Sequence, residues 1–367
     1  MTKKELREGY TTGSTATAGM KAAILALYGE FPKKVTVLSP QHVEIRIPIE
    51  KAWVENGKGK AIVLKDGGDD MDVTHKTPIH VEVEMTNEPG LKFVAGEGVG
   101  TVTKPGLQVR VGEPAINPGP RIMMKKVYSE LVSDGKGCIV TVSVPAGKKL
   151  AEKTLNPVLG VVGGISIIGT SGIVKPMSEE AYKKSLIPQL TVLEAQGVTD
   201  CMLVPGRIGH DAATKLFHIP MEKLVETSNF IGFMLEQAVD KGMKDIILIG
   251  HIGKLIKVAS GSFHTHNRMS DGRMETLAAY AAAAGGDRET VKAILDCNTT
   301  DGAMEIIVAK GLTNIYQELA ERAQVRAMRY IHQDARVGAI FVTMDGRILA
   351  MSSIAEEIGR RDGWLPQ

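Results

Sequence analysis

The 367-residue chain is 43% hydrophobic and 23% charged, which excludes a disordered polymer and leaves apolar material for about two cores. Lys and Arg total 44 against 42 Asp and Glu, a formal charge of +2, too small a basic excess for a general nucleic-acid binder. Three scattered cysteines give neither a disulfide framework nor a zinc spacing, which suits a reducing, cytoplasmic setting, and Met1–Tyr10 lacks the apolar run of a signal peptide.

Gly13-Ser14-Thr15 opens an Ala-rich stretch that predicts a helix to about Tyr28. Lys34 to Leu38, Val43 to Ile49, Ala61 to Leu64 and Ile79 to Met85 read as strands, the second and fourth with strict alternation of apolar residues. Pro120 to Val132 predicts a helix and Cys138 to Val144 a further alternating strand. Short alternating runs separated by turn residues predict an antiparallel sheet with one wet face. Thr154 to Val174 is free of charge and about as long as a membrane span, but five glycines and several polar residues make it poor spanning material. It is expected to be a buried strand between glycine loops.

Pro176-Met177-Ser178 marks a boundary, followed by a helix to about Gln196. Cys201 to Val204, Leu224-Val225 and Ile246 to Ile249 are short apolar runs, each followed by helical sequence, the pattern of a parallel sheet with crossover helices. Helical sequence continues to about Ile331, and Val337 to Ala350 around Asp345-Gly346 reads as a β-hairpin. The fold class expected is α/β and α+β in two domains. An antiparallel-sheet α+β domain with glycine-rich loops covers residues 1–175, and a Rossmann-like domain with a parallel sheet covers 176–335. The hairpin and tail at 336–367 belong to a domain the sequence does not identify.

Several constellations could carry chemistry. Gly206 and Gly209 follow the first parallel strand, and Glu226 lies twenty residues beyond Gly206. Glycines let a backbone approach a nucleotide, and an acid at that distance suits a ribose hydroxyl, although the full glycine fingerprint is absent. Gly250 and Gly253 sit at the end of the third strand. Thr11, Thr12 and Ser14 stand at a helix start, where free N–H groups suit an anion and ordinary capping explains the same residues. Asp66 to Asp72 holds four carboxylates, without an EF-hand spacing, and reads as a solvated acidic turn. His264 and His266, with His251 upstream, suit acid/base or carboxylate-binding roles better than a metal site, because no third ligand is in register.

Taken in order, the blocks resemble one family. They are Arg7-Glu8-Gly9-Tyr10-Thr11-Thr12-Gly13-Ser14, the acidic loop Asp66 to His75, Gly98 to Leu107, Val111 to Pro118, Gly160 to Val174, and His251 to Lys257. The family is that of the cobalt-precorrin-5B (C1)-methyltransferases of anaerobic cobalamin synthesis, and the resemblance covers nearly the whole chain. Lys76 after His75 departs from the family pattern, where glycine is expected.

The resemblance implies a cytoplasmic enzyme that uses S-adenosylmethionine to methylate C1 of a corrinoid. It also implies a fold distinct from the pathway's other tetrapyrrole methylases. Cobalt arrives inside the substrate, so no protein metal site is required, and neither nucleic acid nor membrane is an expected partner; a homo-oligomer stays open. The electron-rich macrocycle supplies the nucleophilic carbon, so the protein's work is alignment. His251, His264 and His266 are the candidates for removing a proton. Thr11, Thr12, Ser14, Arg121, Lys254 and Lys257 are candidates for the substrate's carboxylates. Gly206, Gly209, Glu226, Gly250 and Gly253 are candidates for the methyl donor. The competing readings are a metal-dependent hydrolase built on Asp66 to Asp72 or on His264 and His266, and a non-catalytic corrinoid carrier.

Overall fold

The computed structural model describes residues 6–365. The chain divides between residues 180 and 181 into two compact units. It is a mixed α/β protein with both parallel and antiparallel sheets.

In the first unit, β1 (Gly9–Tyr10) leads into α1 (Thr12–Leu27), then β2 (Lys34–Leu38), β3 (Glu44–Pro48), β4 (Lys51–Glu55), β5 (Lys58–Leu64), β6 (Pro78–Thr86) and β7 (Gly90–Ala95). β8 (Thr101–Val102), α2 (Pro118–Leu131), β9 (Gly137–Ser143), α3 (Gly147–Ala151), β10 (Val161–Val162) and β11 (Ile173–Val174) complete it. The main sheet has the order β4-β5-β6-β9-β7. Val63, Val81, Val83, Val140 and Val142 are buried on the sheet and form the core with Ala16, Met20, Ile24 and Ile47. α1 is buried almost all round, packed against the sheet, α2 and β2. Its Ala, Gly and Thr side chains make that possible: a Cβ added at Gly59 of β5 would lie 2.0 Å from the Ala23 carbonyl oxygen. Helix and strand backbones therefore touch there.

Three expectations need correction. The sheet is not wholly antiparallel, because β7 pairs parallel with β9. β4 and β7 are not among the expected strands: every residue of β4 is at least partly exposed, and β7 alternates but turns only the partly buried Leu91, Phe93 and Ala95 to the core. Thr154 to Val174 is not a strand. It contributes the two-residue strands β10 and β11 and isolated bridges at Ile165 and Ile167. Left-handed backbone at Gly160 (φ 74°) and Gly163 (φ 94°) bounds β10 on both sides, and Gly172 (φ 77°) immediately precedes β11.

α4 (Glu179–Ala195) leads into the second unit, followed by β12 (Asp200–Val204), α5 (Arg207–Leu216), β13 (Leu224–Glu226), α6 (Ile231–Asp240), β14 (Asp245–His251) and α7 (Ile252–Ala259). α8 (Arg273–Ala283), α9 (Arg288–Leu295), α10 (Thr300–Ala309) and α11 (Ile315–Tyr330) precede β15 (Arg336–Val342), β16 (Ile348–Met351) and α12 (Ser353–Arg361). The sheet order is β13-β12-β14-β15-β16, with the first four strands parallel and β16 antiparallel to β15. Met202, Val204, Ile247, Ile249, Ile340 and Val342 face α5 and α12 in one core, while α11 packs on β15. The C-terminal hairpin is thus part of this unit's sheet. No helix among the described residues is long and apolar enough to cross a membrane.

Candidate functional site

The second unit's sheet places its candidate residues along one edge. β12 lies between β13 and β14, so the chain leaves β12 on one side, forms β13, then crosses to the other side for β14. Val204 pairs with Glu226. Gly206 and Glu226 therefore stand at the carboxyl ends of adjacent strands, about 4.8 Å apart in spacing, and Gly250 and His251 end the strand on the other flank.

The four glycines do different things. A Cβ at Gly206 would meet only the Lys254 side chain, its Nζ at 3.3 Å, so the backbone there is otherwise open. At Gly209 a Cβ would lie 2.5 Å from the Ile249 carbonyl oxygen, at Gly250 2.8 Å from the Pro205 ring, and at Gly253 2.9 Å from His251 Nδ1. Those three are required by close packing of α5 on β14 and by the turn into α7. Glu226 has an exposed side chain with no hydrogen bond or ion pair among the described residues. Its backbone is fixed instead: buried Gln189 accepts from the Glu226 N–H at 2.9 Å and donates to its carbonyl at 3.2 Å.

His251 is the N-cap of α7. Its Nδ1 accepts from the Gly253 N–H at 3.1 Å, which puts the proton of the neutral ring on Nε2. Nε2 is buried without a hydrogen-bond partner, 3.6 Å from Asp301 Oδ2. Burial is the main effect on the ring and lowers its pKa, opposed by Asp301. His264 and His266 share one loop, their rings 6.5 Å apart, with His264 against Phe230 at 5.1 Å. His266 is exposed and its Nδ1 accepts from the Arg268 N–H.

Two lysines expected to meet carboxylates are spent inside the unit. Lys257 is 2% exposed, and its ammonium donates to the Thr265 carbonyl at 3.0 Å and to Asn267 Oδ1 at 2.7 Å. It tethers the histidine loop to α7. Lys254 Nζ donates to the Pro205 carbonyl, clipping the end of β12 to α7. Burial lowers the pKa of both.

In the first unit the expected anion site at the start of α1 is filled by the chain itself. Thr11 caps Ser14, Ser14 Oγ donates to the Gly172 carbonyl at 2.6 Å, and Thr12 Oγ1 accepts from the Ile168 N–H at 2.9 Å. The Gly13 N–H donates to the Ile168 carbonyl at 2.8 Å. These donors hold the 168–172 loop and leave little for a ligand.

The acidic loop is neither a metal site nor a freely solvated turn. Asp66 pairs with the Arg7 guanidinium, which with other donors holds it down to about 2. Asp69 accepts from the Arg7 N–H, Asp70 from the Met177 N–H, and Asp72 from buried Lys65 and from Thr74. Among the described residues no group of three or more His, Cys, Asp or Glu could hold a metal, so the hydrolase reading has no support on either cluster. Lys76, the departure from the family pattern, adopts a left-handed φ of 59°. Glycine suits that backbone best.

Arg121 stands apart from this cluster, at the first turn of α2. Nε donates to the Ile116 carbonyl at 2.7 Å, Nη2 pairs with Glu113 at 2.8 Å, and the guanidinium lies over Phe93.

In class the chain is a mixed α/β protein, and comparison with known proteins gives its relatives. A family model described as CbiD matches residues 1–176, and one described as CbiD, C-terminal domain, matches residues 264–353. The cobalt-precorrin-5B C(1)-methyltransferase of Moorella thermoacetica is 44% identical over 97% of both chains. The protein of that name from Methanocaldococcus jannaschii is 44% identical over 95% of this chain and 96% of its own. A crystal structure of a cobalamin biosynthesis protein (cbiD) from Archaeoglobus fulgidus is 28% identical, covering 73% of this chain and 84% of that one, with a TM-score of 0.39. The chain belongs to the CbiD family.

Proposed function

We propose that this chain transfers a methyl group from S-adenosylmethionine to C1 of cobalt-precorrin-5B. The observation that carries the proposal is the 44% identity over 97% of the chain to a protein bearing that activity in its name. The buried thiols agree with it. Burial pushes Cys138 up to about 11 and raises Cys201 as well, so neither is a nucleophile at neutral pH, and a carbon acceptor needs none.

The second unit is Rossmann-like in this reading, and its sheet edge holds the donor at the point where strand order reverses. The residues there suit an adenosyl group: an open backbone at Gly206, an unpaired carboxylate at Glu226 for a ribose diol, and Gly209, Gly250 and Gly253 keeping the walls close. When bound, the donor supplies an electrophilic methyl on sulfur. The chain's own work is to hold acceptor carbon and methyl in line and to exclude water. His251, His264 and His266 remain the candidates for removing a proton. Nδ1 of His251 and of His266 accepts a backbone N–H, so either ring serves as a base only by releasing that bond or changing tautomer.

The test is incubation of purified protein with cobalt-precorrin-5B and methyl-labelled donor, read by mass spectrometry. One added methyl, located at C1 by NMR, supports the reading. Binding of both ligands without transfer would make the chain a carrier.

A further inference from the structure

We propose that the first unit carries a separate subsite for one side arm of the macrocycle, a carboxylate on a short methylene stem. This rests on the proposed function for the identity of the ligand. The subsite is a cavity of about 330 Å³ between α2 and the 108–113 turn, lined by Gln108, Val109, Arg110, Glu113, Arg121 and Lys125 together with Pro118 and Ile122.

Both walls are built rather than incidental. Pro118, Arg121, Ile122 and Lys125 follow the three-and-four spacing that puts residues on one helix face. The opposite wall is held by hydrogen bonds from the Gly112 N–H to the Val102 carbonyl at 2.8 Å and from the Val102 N–H to the Glu113 carbonyl at 3.0 Å. Buried Val109 anchors it in a small core with Val102, Ala115 and Val161.

The charges in the cavity do not balance. Arg110, Arg121 and Lys125 face one carboxylate, Glu113, and that carboxylate is engaged by Arg121 at 2.8 Å. Arg121 spends Nε and Nη2 on the Ile116 and Pro114 carbonyls and on Glu113, which orients the fork and leaves the Nη1 hydrogens without a partner among the described residues. Arg110 and Lys125 make no side-chain hydrogen bond or ion pair among the described residues. Cations gathered at a cavity without counter-charge repel one another, and an incoming anion removes that cost. The N-terminus of the 14-residue α2 adds its dipole in the same sense. The apolar part of the lining, Val109, Pro118 and Ile122, matches a methylene stem, which a bare inorganic anion lacks.

Arg110→Gln, Lys125→Gln and the double variant test the proposal, with Lys33→Gln as an exposed cation of the same unit outside the cavity. All four replace exposed side chains without partners, so the fold is expected to persist. The KM for the corrinoid should rise about tenfold in the double variant, with kcat and the donor KM within about twofold of wild type, and the difference should shrink in high salt. Lys33→Gln should match wild type. Corrinoid binding, followed in parallel by its visible absorbance, reads the same loss without turnover. Unchanged KM and Kd in the double variant would overturn the subsite. Wild-type protein that binds the corrinoid but transfers no methyl would overturn the function and still report on the cavity.

Discussion

Replacing Glu226 by Gln is the sharpest check on where the donor sits. The side chain is exposed and has no partner among the described residues, and the backbone beneath it is fixed by Gln189, so the change should alter stability by no more than about 0.5 kcal/mol. A hydrogen bond to a charged group contributes about 1.5–3 kcal/mol, roughly twice a neutral one. The amide keeps one acceptor oxygen in the same place but loses the charge and one acceptor. The expected loss for a ribose diol is about 2 kcal/mol, or roughly 30-fold in Kd. Titration calorimetry with S-adenosylmethionine and with its demethylated product measures it, and both ligands should weaken equally, because the ribose is common to them. Glu226→Asp should recover part of the affinity. A Kd within twofold of wild type, in a variant with unchanged thermal midpoint, would refute the placement at this sheet edge.

Gly209→Ala should destabilise the second unit by about 1–3 kcal/mol and weaken the donor with it, since the new Cβ would be 2.5 Å from the Ile249 carbonyl oxygen and α5 must recede; thermal melting and calorimetry read the two effects. Lys257→Met removes a buried cation and both tethers to residues 265 and 267, so amide exchange across 264–267 should quicken and kcat fall; unchanged exchange would sink the tether role. Lys76→Gly should stabilise the first unit by up to about 1 kcal/mol in denaturant unfolding, because φ is 59° there. Asp66, depressed to about 2 by Arg7, adds stability that is full above about pH 4 and is lost as pH falls through about 2. Arg7→Gln should therefore move acid unfolding to higher pH, with the difference from wild type vanishing near pH 2.

Strands that bury one face, such as β3 and β6, were legible because alternation along the chain reports that burial directly. β4 escaped because an exposed edge strand carries little such pattern. The Gly206 to Glu226 spacing was readable because a strand, a helix and a returning strand fix it locally. The hydroxyls at the start of α1 left an anion site and ordinary capping both open, for the opposite reason. Their partner is the 168–172 loop, some 156 residues away, and no local pattern announces it. The burial of Lys257, a candidate for a substrate carboxylate, is not legible because it is set by tertiary packing of the 265–267 loop. The cavity at Arg110 and Lys125 joins a turn to a helix face, and sequence spacing does not show that these meet.

The strand order of the second unit also bears on how it is made. β14 pairs along its whole length with β15, and the two are separated in sequence by the five helices α7 to α11. Until residues 336–342 leave the ribosome, β14, apolar from Ile246 to Ile249, lacks the strand that pairs with this edge in the finished sheet. Sheet completion is thus a late, long-range closure, the slow kind of step in folding, and the open edge is a template for pairing with other nascent chains. A chain truncated before Arg336 would be expected in the insoluble fraction, and the yield of native protein would depend on how quickly β15 and β16 are synthesised.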